Sequence, residues 1–138
     1  MAVTPNSIVT PQTINVSTGV VTTANTTYSD SPTNTVTIFT AGPDGARVTR
    51  MTCLPRATCT ATLIDIFRDS DGSGTVRRLI QRRLQPAQTI DTTTAAPSTD
   101  FGYSEATPLI LRANEKLYAS MTVALAGGIV VNVEGSNY

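Results

Sequence analysis

Few residues in this chain are of types that do chemistry, and their spacing limits each of them. Arg77, Arg78, Arg82 and Arg83 form its one cluster of like charge. A guanidinium fork fits a carboxylate bidentately, so the cluster is a candidate grip on acidic groups of a protein partner. The bland alternative is a solvated strand face paired with nearby aspartates. Cys53 and Cys59 are separated by Leu-Pro-Arg-Ala-Thr. Two thiols without histidine do not make a standard zinc site, and the spacing is not that of a redox C-x-x-C pair. If Pro55 and its neighbours turn the chain, the two face each other across a hairpin, where a disulfide is possible outside a reducing compartment. Otherwise they are small, inert, half-buried residues. Asp69-Ser70-Asp71-Gly72 resembles the start of a calcium loop, but the twelfth position is Ile80, where a bidentate glutamate is required. A polar hairpin turn is expected there instead.

Catalysis finds little to work with. The chain has no histidine, the commonest general base, and its one lysine, Lys116, falls in an expected turn. Asp65, Asp69, Asp71, Asp91, Asp100, Glu105, Glu115 and Glu134 include no pair that the sequence brings to the separation a glycosidase needs. No glycine-rich phosphate loop stands between a strand and a helix. Tyr28, Tyr103, Tyr118 and Tyr138 are scattered without a common spacing for stacking on sugars. The expectation is a chain that is not an enzyme, with no catalytic residues, no cofactor and no metal.

The elements that must position these residues are strands. Of 138 residues, 25 are Thr, 12 Val and 9 Ile, all β-branched and therefore stiff in helices and suited to a pleated sheet. The length suits one domain. Ten basic and ten acidic residues leave a net charge of zero, which argues against nucleic acid or an anionic membrane as partner. Met1 to Asn6 carries no Lys or Arg and opens no apolar stretch, so no secretory signal is expected. The longest apolar run, Val123 to Val131, is too short to cross a membrane.

Residues 1–34 read as an extended N-terminal arm with a first strand around Ile14 and Val16. Pro5 and Pro11 keep it out of helix, and Pro5, Ile8 and Pro11 are candidate partner contacts. Residues 35–138 read as a β-sandwich domain. Strands are expected at Thr35–Thr40, Ala46–Leu54 and Thr58–Arg68, the last apolar on both faces and so central in a sheet. Val76, Leu79, Ile80 and Leu84 fit a helical stripe better than strict alternation, yet the stretch follows a hairpin turn and is short, so a strand is expected to Gln85. A further strand is expected near Thr89–Thr93 and another at Leu109–Leu111. Leu117 to Leu125 and Ile129 to Glu134 alternate cleanly around Gly127-Gly128 and suggest a hairpin. About seven to nine short strands imply an antiparallel two-sheet sandwich or jelly-roll-like barrel, because one sheet leaves a face uncovered.

Four segments also carry a likeness. They are Ser7-Ile8-Val9-Thr10-Pro11-Gln12-Thr13-Ile14, Asp100-Phe101-Gly102-Tyr103-Ser104, Asn114-Glu115-Lys116-Leu117-Tyr118 and Ala124-Leu125-Ala126-Gly127-Gly128-Ile129-Val130. In these the chain resembles small head decoration (cement) proteins of tailed bacteriophages and prophages. The resemblance implies a β-rich structural subunit made in the host bacterial cytoplasm. It would bind the major capsid protein on the outside of the virion, as a homo-oligomer and preferably a trimer. Alternative roles are a glycan- or receptor-binding domain of a tail fibre, or a minor head–tail structural subunit.

Overall fold

The computed structural model describes residues 10–69 and 72–138, and among these the regular structure is all strand. Nine strands form two antiparallel sheets. In the first, β1 (Thr13–Val21) is followed by β9 (Ile129–Asn137) and then β3 (Ala46–Pro55). Two short strands, β6 (Thr99–Asp100) and β7 (Leu109–Leu111), share the far side of β3. The second sheet runs β2 (Val36–Thr40), β8 (Lys116–Met121), β4 (Thr62–Asp69), β5 (Arg77–Gln85).

With β6 and β7 taken as one interrupted strand, the connectivity is that of a long hairpin folded over on itself. β1 pairs with β9, β2 with β8, β3 with β6 and β7, and β4 with β5. That is the jelly-roll arrangement of two four-stranded sheets. The expected two-sheet sandwich is therefore what forms. Its core is filled by alternate residues of both sheets, among them Val21, Ile38, Val48, Met51, Ile64, Ile66, Leu117, Ala119, Met121, Ile129, Val131 and Val133, all fully buried.

Several boundaries and connections differ from the sequence expectation. Thr13–Val21 is paired along its whole length with β9, so the sandwich begins there and not at residue 35. Pro5 and Ile8 lie outside the described residues; Pro11 is exposed just before β1. The clean alternation through Gly127-Gly128 does not make a hairpin. β8 ends at Met121 in the second sheet, and β9 starts at Ile129 in the first. The amides of Thr122 and Val123 turn to Leu63 O and Thr62 Oγ1, and Leu125 N bonds Thr22 O, so the segment crosses between sheets. Alternation reports a half-buried strand and does not name its partner. The expected strand near Thr89–Thr93 is also absent. Asp91 Oδ1 there accepts the amides of Thr93 and Thr94 at 2.8 and 2.6 Å, a local turn that competes with a ladder.

The contested stretch at 76–85 is a strand, and a β-bulge explains its helix-like spacing. Ile66 lies opposite Gln81 and Phe67 opposite Leu79, so Ile80 is an extra residue in the ladder. One extra residue flips the alternation halfway along β5 and mimics a longer period.

Candidate functional site

β5 is the edge strand of the second sheet, and it carries the arginine cluster. A segment of residues 22–35 runs across the outer face of that sheet as a strap. Its anchor is Asn25, fully buried. Asn25 Oδ1 accepts the amides of Thr27 and Thr33 and the Thr33 hydroxyl, and its Nδ2 donates to Thr27 O at 2.8 Å and to Ser120 Oγ at 3.4 Å. Every polar atom of that side chain has a partner, as burial requires.

Two of the four arginines hold the strap down. Arg77 donates to Gly74 O and Thr35 Oγ1, and its guanidinium lies 4.4 Å over the Tyr118 ring. Arg82 makes a forked pair with Asp65, 2.6 and 3.1 Å, and stacks 4.4 Å from the Tyr28 ring centroid. Asp65 is fully buried on β4, and its hydrogen bond to Arg82 stabilises the charged guanidinium, raising its pKa further. The other two are less committed. Arg78 approaches Asp30 of the strap at 3.4 Å with both side chains exposed, and Arg83 donates to Phe101 O at 3.2 Å. The cluster is thus part clamp and part free charge, a division that hinges on which face of β5 each residue occupies.

A second carboxylate ties the far end of the sandwich. Glu115, in the turn before β8, accepts Arg68 Nε and Nη2 at 2.8 Å each and the amide of Arg112 at 2.7 Å. Burial opposes its ionisation, but the Arg68 and Arg112 bonds outweigh that and hold its pKa below the ordinary value of 4.5. A depressed carboxylate pKa stabilises the fold above the unfolded value, and that contribution is lost as pH falls through the folded one. Thermal unfolding between about pH 5 and pH 2 should therefore show a falling midpoint, with a flatter fall in Glu115→Gln. At pH 7 that variant should lose about 2 kcal/mol, since an amide cannot take both Arg68 donors. Equal pH slopes in the two proteins would remove Glu115 as the cause.

The cysteines are unbridged and buried. No hairpin brings them together, because β3 and β4 lie in different sheets. The Cys53 thiol donates to Gln85 Oε1 at 3.5 Å, and burial pushes its pKa up to about 12, so it is a thiol at neutral pH and a poor nucleophile. Cys59 donates to Pro86 O at 3.8 Å. Among the described residues no group of three or more Cys, Asp or Glu side chains is placed to hold a metal ion.

The opposite side of the molecule has a different character. β1 is the edge strand of the first sheet, and its outward face presents Ile14, 85% exposed, and Val16, 62% exposed. No charged residue precedes Asp30 in the sequence. Beside Val16 and Thr18, an open trough of about 430 Å³ crosses the sheet to Thr52, Leu54 and Asn132, with the Arg50–Glu134 pair, 3.7 Å apart, at its end. Sequence reasoning weighed Asp65 and Glu115 only as catalytic carboxylates, not as buried anchors, and missed Asn25. Asp65 falls where alternation gives an outward residue, and only the strap buries it. Comparison with protein-family models, with curated proteins and with solved structures finds no match to this chain.

Proposed function

We propose that this chain is a structural subunit of a phage head. In this reading it is a decoration, or cement, protein that binds the outer surface of the major capsid protein shell and stabilises it, assembling preferably as a trimer. The observation that carries the reading is the β1 edge. Natural edge strands are guarded by charges, prolines, bulges or short length. β1 is nine residues long, has no charge or proline within it, and exposes Ile14 and Val16. An unguarded edge of this kind is a hazard in a free subunit and an asset in one that is covered on assembly. The low content of long charged side chains points the same way, because packing such a surface orders little side-chain entropy.

The test is occupancy on heads lacking this chain, prepared from the source phage. The purified chain should sediment with them in many copies per particle. Ile14→Lys/Val16→Lys changes two exposed side chains, so it should fold unaltered by circular dichroism and lose at least about tenfold in apparent affinity. Unchanged occupancy of that variant, or localisation of the chain to the tail tip in a few copies, would defeat the proposal.

A further inference from the structure

We infer that the free edge of β5 is a strand-addition site for an extended acidic segment of a partner protein. It lies on the opposite side of the sandwich from β1, and the inference stands whether or not the chain coats a capsid. β5 pairs only with β4 among the described strands; the Arg77 amide at its start is taken by Asp30 O of the strap at 2.8 Å, so the open edge runs from Arg78 on, and residues 78–80 and 82–84 are exposed. Arg77 and Arg82 are committed on the outer face, to the strap and to Asp65, as described above. Arg78 keeps 65% of its side chain exposed, and its one carboxylate partner among the described residues, Asp30, is itself 54% exposed. Arg83 has, among the described residues, one hydrogen-bond partner, the backbone carbonyl Phe101 O. Between and beside these two cations stand Leu79, Ile80 and Leu84, 38%, 37% and 56% exposed. A strand edge that offers main-chain groups, two available guanidinium forks and three aliphatics fits a chain with carboxylates and aliphatics of its own.

The bulge makes the required pattern specific. Arg78 and Arg83 are five residues apart, which on a regular strand would put them on opposite faces. The extra residue, Ile80, returns them to one face: they lie opposite Arg68 and Ile64 of β4, four apart. Leu79 and Leu84 lie opposite Phe67 and Leu63, also four apart on the other face. An added antiparallel strand meeting both pairs reads aliphatic, acid, any, any, aliphatic, acid. Two cations interleaved with aliphatics, in a chain of zero net charge, make a poor track for a row of phosphates.

The probe is a fluorescein-labelled peptide, Thr-Val-Glu-Thr-Thr-Val-Glu-Thr, titrated into the full chain at low salt and followed by anisotropy. Three comparisons accompany it: a scramble of the same composition, a version with Lys for Glu, and an eight-nucleotide oligothymidine. Saturable binding is expected for the first alone, weakened at least about tenfold by Arg78→Glu/Arg83→Glu. In the unaltered protein, amide shift changes should concentrate on residues 77–85. That second measurement decides the matter if the double variant folds poorly. No saturation, equal binding of the scramble, tighter binding of the oligonucleotide, or shift changes on β1 in place of β5 would each overturn the inference.

Discussion

Arg82→Ala should destabilise the fold by about 3–5 kcal/mol, read as a lower urea midpoint at pH 7. The effect is large for a residue that is itself substantially exposed. Asp65, its partner, is fully buried in the middle of β4, and both of its oxygens are bonded to the Arg82 fork. Truncating Arg82 strips a buried carboxylate of its counter-charge and its hydrogen bonds together, which costs far more than the pair is worth when intact. Tyr28 loses the cation beneath its ring at the same time, so the strap should loosen over the sheet. Asp65→Leu/Arg82→Met removes both charges and should recover most of the loss, because no orphaned group remains. If Arg82→Ala costs less than about 1 kcal/mol, the pair is a surface ion pair in effect and the strap is held by Asn25 and Arg77.

The Asp65–Arg82 pair also marks where the sequence stops being legible. Class and element positions follow from composition and alternation, since β-branched residues at period two report a half-buried strand whatever its partner. Partnership is another matter. Ile14 to Val21, Leu117 to Met121 and Ile129 to Val133 carry the same kind of signal, yet the first and last pair with each other across the whole chain length while the middle one joins the other sheet. Gly127-Gly128 looks like a hairpin turn because nothing local distinguishes a turn within a sheet from a crossing between sheets. The β5 bulge is legible only as a failed alternation, and its consequence, Arg77 and Arg82 on the strap face and Arg78 and Arg83 on the other, needs the register. Asp65 needs more still. A strap that bridges to Met121 at Ala24, twelve residues before β2, covers it, and that long-range contact leaves no mark in the residues around it.

Gly135→Ala tests the other place where the ladder departs from regularity. β3 contains its own bulge: Val48 lies opposite Gly135 and Arg50 opposite Glu134, so Thr49 is the extra residue. The bulge brings β3 so close to β9 that a Cβ at Gly135 would sit 2.1 Å from Arg47 O and 3.1 Å from Val48 Cα. Both obstacles are backbone, and neither can rotate away as a side chain would. Gly135 is also paired on its other side, with Asn15 of β1, so the strand cannot simply shift outward without breaking that ladder too. The expected result is a loss of about 3 kcal/mol or more, at the upper end of what overpacking costs, with Ser136→Ala as a control within about 0.5 kcal/mol. The damage should spread to β1, whose outward aliphatics are the proposed docking edge, so Gly135→Ala that still folds should also bind heads less well than its remaining stability implies. An alanine tolerated at this position would mean that β3 and β9 can part by more than an ångström without unfolding, and the rigid edge on which the docking proposal depends would be gone.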